Sequence, residues 1–133
     1  MMMESLPLTA NALGRFFHID GREVERYYKH HLSDFETWAQ KEHATDWVLL
    51  AQNIGEYCSI DETQLCEDVY TILSNKAGHG KKGTVIAIIR GTKASVVSQA
   101  IKQIPASELG KVKEITMDFS DSMYNIAKQC FPN

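Results

Sequence analysis

The strongest constraint on the fold is the order of strand-like and helical segments in the second half of the chain. Residues 56–61, 69–73, 84–89 and 112–117 are rich in the β-branched and aromatic side chains that favour strands. The first three segments follow one another closely, which predicts an antiparallel meander. The third is apolar on both faces, which indicates a central or covered strand. A helical segment precedes the fourth strand and indicates a crossover connection.

Helical signals surround the fourth strand. Thr92 is a candidate N-cap for a helix that ends before Pro105, and Ser120 is a candidate N-cap for a final helix. Residues 75–83 hold three glycines and predict a turn. Because a strand follows this turn, it lacks the helix that a phosphate-binding P-loop requires. The predicted order is β-β-β-α-β-α, an α/β (α+β) arrangement with three antiparallel strands and one parallel strand.

The first part of the chain has helical rather than strand periodicity. Thr9 is a candidate cap for a short helix, and Ser33 with Glu36 forms a capping-box pattern. A further short helical stretch is expected around residues 47–50. We therefore predict a helical region over residues 1–55 and the strand-containing region over residues 56–133. The apolar positions expected to face inward in the first two helices are Leu13, Phe16, Phe17, Val24, Tyr27, Tyr28, His31 and Leu32.

Composition limits the compartment and the partners. No apolar run is long enough for a membrane-spanning helix, so no membrane partner is expected. The first residues lack the pattern of a secretory signal, which favours a cytoplasmic location. The three cysteines are an odd number without a C-x-x-C pair, and we expect reduced thiols in the core.

Charge is unevenly distributed along the chain. The formal net charge is −3, which argues against simple binding to any polyanion. Residues 69–107, however, contain no acidic side chain. A local basic stretch of this kind can contact phosphate, although a solvated face with chance clustering is the alternative. The candidate DNA-binding residues in this stretch are Lys76, Lys81, Lys82, Arg90 and Lys93.

The predicted topology brings two aspartates together as a candidate metal site. Asp61 ends the first predicted strand and Asp118 ends the fourth. The order β-β-β-α-β-α resembles the start of an RNase H-like fold, in which the fourth strand returns beside the first. Two adjacent carboxylates repel each other, and a divalent cation such as Mg²⁺ relieves that repulsion. The alternative is structural: Asp61 would cap a turn at Thr63, and Asp118 would cap the last helix.

Several motifs in the same order resemble DDE-type insertion-sequence transposases. The first aspartate lies in a segment similar to that family's S-I-D-E-T motif, and the second in a segment similar to its V-K-E-x-T-x-D motif. Between them lie segments similar to the family's Y-T-I-L-x-N-K strand and to its K-K-G hairpin with the A-I-x-G-T strand. In this chain the four segments are residues 58–63, 112–133, 69–76 and 77–92.

The resemblance implies a DDE catalytic core that cuts and joins DNA at element ends with Mg²⁺ or Mn²⁺. It assigns Asp61 and Asp118 as the first two acids and places the third acid downstream of Asn133, so the chain is expected to be inactive alone. It also implies a homo-oligomer for the full-length protein, and a DNA-end or dimerisation module in residues 1–55. The remaining alternatives are a non-catalytic DNA-binding or self-associating regulator, and an unrelated α+β scaffold.

Overall fold

A computed structural model describes residues 8–133 and divides the chain into two compact units, Met1–Glu42 and His43–Asn133. Within the first unit, helix α1 spans Ala10–Phe17 and helix α2 spans Gly21–Tyr27. A π-helical turn, Tyr28–Leu32, continues α2, and a 3₁₀ turn, Asp34–Thr37, follows it. The 3₁₀ turn Lys41–His43 stands at the boundary between the units.

The predicted N-caps Thr9 and Ser33 are present, but the Ser33–Glu36 capping box is not formed, because the Glu36 carboxylate bonds Lys41 and His30 instead. The Thr9 hydroxyl accepts a hydrogen bond from the Ala12 amide, and the Ser33 hydroxyl accepts one from the Phe35 amide. Helices α1 and α2 meet at two glycines: a Cβ at Gly14 would lie 2.5 Å from the Ile19 carbonyl oxygen, and one at Gly21 would lie 2.1 Å from Asn11 Oδ1. Contacts this close leave no room for a side chain at either glycine.

The predicted inward face of α1 is only partly correct. Leu13 is buried, but the exposed fractions of Phe16 and Phe17 are 75% and 53%. Adjacent residues on a helix point in different directions, so one eight-residue helix cannot bury both rings on the face that holds Leu13. The rings instead contact each other edge to face, with centroids 5.0 Å apart. Tyr27, His31 and Leu32, also expected inward, are exposed as well.

The second unit is built on one five-stranded sheet with the order β1-β4-β3-β2-β5. Strands β2, β3 and β4 form the predicted antiparallel meander, and β5 lies parallel to β2. The predicted mixed α/β class, with three antiparallel strands and one parallel strand as the start of an RNase H-like fold, is confirmed. The strand bounds are β1 Trp47–Leu49, β2 Tyr57–Leu65, β3 Asp68–Asn75, β4 Val85–Arg90 and β5 Glu114–Met117.

Strand β1 corrects the prediction of a helical stretch near residue 47. Its three residues pair antiparallel with β4, and Val48 lies opposite Ile88. A run of three apolar residues is too short for periodicity to distinguish helix from strand, so pairing with a distant strand decides. Because β1 covers the outer side of β4, β4 is an internal strand, as its two apolar faces indicated.

Three helices lie in the second unit: α3 Ala94–Ile101, α4 Ala106–Leu109 and α5 Asp121–Cys130. Ser120 caps α5 as predicted, because its hydroxyl accepts a hydrogen bond from the Met123 amide. The predicted Thr92 cap of α3 is wrong: Lys93 occupies the N-cap position, and its side chain makes no capping bond. Helix α4 was not predicted, because four residues carry no periodicity.

The core lies between one face of the sheet and the helices. Its centre contains Cys58 and Ile60 from β2, Leu73 from β3, and Val97 and Ile101 from α3, all fully buried. Met123, Ile126 and Cys130 add the inward face of α5. Two buried hydroxyl residues, Thr71 and Ser98, accompany this core. Thr71 Oγ1 donates to the Gly91 carbonyl at 2.7 Å.

The β2–β3 hairpin turns at Cys66, which has a left-handed φ of 57°. Cys66 is exposed, whereas Cys58 and Cys130 are buried, so the expectation of three core thiols is wrong for Cys66. All three thiols are free. No helix among the described residues has the length and apolarity to cross a membrane. The first residues, used above to judge a secretory signal, lie outside the described range.

Candidate functional site

The two predicted acids come from neighbouring parallel strands. Strand β2 pairs with β5 in a register that ends at Ile60 opposite Met117. Asp61 directly follows Ile60, and Asp118 directly follows Met117. Neighbouring strands lie about 4.8 Å apart, so the two backbones are adjacent where the pairing ends. Asp61 was expected at the end of its strand, but β2 continues to Leu65 and places it in the middle.

The longer β2 follows from its partner β3. Residues 62–65 of β2 continue to pair with residues 68–71 of β3 beyond the point where β5 stops. The polar side chains Glu62 and Gln64 interrupt the apolar pattern, so this half of the strand has little sequence signal. Asp61 is therefore held on one side by β3, while its other side faces the end of β5.

Both aspartates belong to the sheet face opposite the core. Alternate residues of a strand point to opposite faces. Cys58 and Ile60 are fully buried on the core face, so Asp61 points to the other face, and it is exposed. Asp118 is exposed too, and it follows Thr116 on the same alternation. We call this side of the sheet the aspartate face.

The aspartate face carries a row of side chains that crosses the sheet. Val48 of β1 lies opposite Ile88 of β4, Ile88 lies opposite Ile72 of β3, and Ile72 lies opposite Asp61. The row therefore runs from half-buried aliphatic side chains to the exposed aspartates at the β5 side. An apolar flank lowers the local dielectric constant beside the carboxylates and strengthens their attraction for a cation.

Within residues 8–133, neither carboxylate has a structural partner. No hydrogen bond or ion pair joins the side chain of Asp61 or Asp118 to any residue in the described part of the chain. The structural alternatives do not hold: Ser120, not Asp118, caps α5, and Asp61 lies within a strand rather than before a turn at Thr63. Ser122 Oγ donates to the Thr92 carbonyl at 2.6 Å. This hydrogen bond ties the first turn of α5, which begins three residues after Asp118, to the segment after β4.

The donor chemistry fits a hard divalent cation. Mg²⁺ prefers carboxylate oxygens and usually takes one or two carboxylates from the protein. The pair provides two such groups, both exposed and without a competing cation partner among the described residues. Within residues 8–133, no group of three or more histidine, cysteine or acidic side chains is arranged to hold a metal ion.

Of the predicted DNA-binding residues, Lys76 lies nearest to the pair in the register of the sheet. Its Nζ donates to Thr116 Oγ1 at 2.9 Å and lies 3.4 Å from Glu114 Oε1. Thr116 stands opposite Ser59 and one strand repeat before Asp118. The Lys76 ammonium is thus held beside β5 on the aspartate face.

The other four predicted DNA-binding residues do not form one patch with Lys76. Lys81 and Lys82 are exposed in the turn that precedes β4. Arg90 ends β4 and Lys93 lies just beyond it, so six residues of strand, about 20 Å, separate the two groups. The Arg90 guanidinium donates to Asp68 Oδ1 at 2.9 Å, and this hydrogen bond raises the Arg90 pKa.

Two aromatic residues beside Asp118 were not predicted as part of the site. Phe119 is fully exposed, and Tyr124 is 61% exposed. Together with Met117, Asp118, Ser120 and Asp121 they line a surface cavity of about 440 Å³. The sequence holds one indication that these two rings are exposed, because neither belongs to the apolar stripe of α5 that Met123 and Ile126 occupy.

Comparison with known families agrees with this geometry. A family model described as a transposase, that of the ISL3-type DDE transposases, matches residues 58–133. The matched segment begins in β2, three residues before Asp61, and includes Asp118. No curated protein and no solved structure matches the chain. Because the matched segment is more than half of the chain, this protein belongs to the ISL3-type DDE transposase family.

Proposed function

We propose that Asp61 and Asp118 are two acids of a transposase active site that cuts and joins DNA at insertion-sequence ends. The observation that carries this proposal is the parallel register of β2 and β5, which brings two exposed aspartates, without a partner among the described residues, to adjacent positions. Bound Mg²⁺ or Mn²⁺ supplies the positive charge that stabilises the attacking and leaving oxygens in phosphoryl transfer. The aspartates would hold the metal and fix it relative to the sheet.

The described part of the chain supplies only two acids to this site. DDE chemistry, as the resemblance implies, uses a third. We therefore propose that residues 8–133 bind metal but do not complete strand cleavage alone. The proposed location is the cytoplasm, which the three free thiols favour.

We also propose that a DNA-end or dimerisation module lies within residues 1–55 and the catalytic part within residues 56–133, except that β1, Trp47–Leu49, belongs to the sheet of the catalytic part. In the full-length protein this module would support a homo-oligomer. Two basic side chains of the first unit are already engaged: Arg26 lies 3.9 Å from Glu23, and Lys29 Nζ lies 4.1 Å from the centre of the Phe35 ring. These contacts compete with phosphate for the two side chains, which weighs against a phosphate-binding role for them.

Calorimetric titration with Mn²⁺ tests the metal site. The wild-type chain should bind Mn²⁺, and Asp61→Asn and Asp118→Asn should each weaken binding at least about tenfold, the cost of losing a ligand-supporting group. Glu62→Gln is the matched control, since it removes a carboxylate from the adjacent position of β2. Equal Mn²⁺ affinity in all four proteins would refute the proposal.

A second candidate is a DNA-binding regulator without catalysis. Lys81 and Lys82 favour it, because both are exposed in one turn and neither forms an ion pair with a described residue. This function predicts DNA binding that falls steeply with salt but does not change with metal or in the Asp61→Asn/Asp118→Asn double variant. The transposase proposal predicts that DNA affinity in Mg²⁺ falls in that variant.

A further inference from the structure

The surface next to Asp118 exposes two aromatic rings that the fold does not use. Phe119 follows Asp118 directly, and its exposed fraction is 113%. Tyr124 lies one turn into α5 and is 61% exposed. The core face of α5 is complete without them, because Met123, Ile126 and Cys130 fill it.

The position of these rings connects them to the proposed metal site. Asp118 itself lines the cavity that Phe119 and Tyr124 border. Because Asp118 belongs both to the pair and to the cavity lining, a DNA strand bound through a metal at the pair would pass the edge of this cavity. The cavity, about 440 Å³, is large enough for a flat ring system to enter.

The charge around the cavity selects the part of the nucleotide that enters. The carboxylates of Asp118 and Asp121 lie on its rim, and no lysine or arginine lines it. When Asp118 holds the metal, the Asp121 carboxylate supplies the negative charge of the rim, which repels a phosphate group and accepts hydrogen bonds from amino groups. A nucleobase is neutral, has an aromatic face, and in adenine, cytosine and guanine carries an exocyclic amino group.

We propose that Phe119 and Tyr124 form a stacking site for one unpaired nucleobase of the DNA strand held at Asp61 and Asp118. This inference rests on the proposed transposase function. An unpaired base stacks on aromatic side chains, and a base within a duplex must first leave the helix. The site should therefore bind single-stranded DNA or a frayed end in preference to a blunt duplex. The Asp121 carboxylate should favour cytosine or adenine over thymine, which has no amino group.

Fluorescence anisotropy with labelled single-stranded oligonucleotides tests the stacking site. Oligonucleotides of about eight nucleotides match the length that a small site covers. Oligo-dC, oligo-dT and an abasic oligonucleotide of equal length are compared in Mg²⁺. Phe119→Ala and Tyr124→Ala should each weaken binding of oligo-dC at least about fivefold, the lower range for loss of one stacked base. Neither should change binding of the abasic oligonucleotide.

Two further variants sharpen the result. Phe119→Trp keeps an aromatic face and should retain the affinity for oligo-dC. Phe16→Ala is the matched control, because it removes another largely exposed phenylalanine in the first unit and should have no effect.

Three outcomes would overturn the inference. One is an equal loss of affinity for oligo-dC and for the abasic oligonucleotide in Phe119→Ala, and another is no loss for either. The third is a change in sedimentation of Phe119→Ala without DNA, since that would assign the rings to contact between two copies of the chain. Failure of the metal site is a separate result, because Mn²⁺ titration measures it without DNA.

Discussion

Asp61 and Asp118 stand on neighbouring parallel strands, one residue beyond the Ile60–Met117 pair, and neither carboxylate has a cation partner in the described part of the chain. Like charges on adjacent strands repel each other, and the scale of this repulsion in water is about 1 kcal/mol for a separation of about 4 Å. The fold therefore tolerates a small electrostatic cost at this position. Such a cost is typical of functional sites.

The first prediction follows from that cost. In the presence of a chelator, Asp61→Asn should raise the free energy of unfolding by up to about 1 kcal/mol, because one repelling charge is removed. With Mn²⁺ in excess, the wild type should gain stability from ligand binding and the variant should not. Thermal unfolding with and without Mn²⁺ measures both effects. Asp68→Asn is the control. It should lower the free energy of unfolding, because Asp68 pairs with Arg90.

The second prediction concerns the hairpin between β2 and β3. Cys66 adopts a φ of 57°, a left-handed conformation that costs a side-chain-bearing residue roughly 1–2 kcal/mol and glycine almost nothing. Cys66→Gly should therefore raise the free energy of unfolding by about 0.5–1 kcal/mol after the entropy cost of glycine. Urea unfolding measures the change. A loss of stability in this variant would mean that the turn has another conformation in solution.

The third prediction concerns the one buried hydroxyl bond between β3 and the end of β4. Thr71 is 1% exposed and donates to the Gly91 carbonyl at 2.7 Å. Thr71→Val keeps the shape but leaves that carbonyl without its donor, which should cost about 1–3 kcal/mol. Ser59→Ala removes a hydroxyl that bonds Ser74 at 2.8 Å on the half-exposed face, where water can replace it. The loss in Ser59→Ala should be smaller.

The fourth prediction is a pH dependence in the first unit. Hydrogen bonds from Lys41, the larger cause, and from His30 lower the pKa of Glu36 from 4.5 to about 2. Because the folded-state pKa is depressed, the stabilising contribution is present above pH 4.5 and is lost as the pH falls toward 2. Lys41→Ala should raise the pKa of Glu36, since Lys41 is the larger cause. Carboxyl-carbon NMR titration measures it, and an unchanged pKa in Lys41→Ala would contradict the assigned ion pair.

Local signals in the sequence were sufficient for several elements of this fold. Ser120 caps α5 as its position before an apolar stripe predicted, and the apolar β4 is internal. These features depend on residues close together in the chain. Strand β1 was missed because three apolar residues become a strand only through pairing with β4, which lies far along the sequence.

The candidate site could be predicted in its residues but not in its surroundings. The sequence order alone pointed to Asp61 and Asp118 on adjacent strands. It did not indicate that β2 extends past Asp61, because the extra pairing is with β3 and its residues are polar. It also did not reveal Phe119, since exposure depends on where α5 places its core face.

The most direct test of the central claim is the anomalous scattering of Mn²⁺ in crystals of this chain. We predict an anomalous peak between the Asp61 and Asp118 carboxylates, at Mn–O distances that correspond to direct coordination by both side chains. We also predict that the peak disappears in crystals of Asp118→Asn. If Mn²⁺ instead occupies other carboxylates, while Asp61 and Asp118 point apart, the proposed metal site is wrong and the DNA-binding regulator becomes the better account.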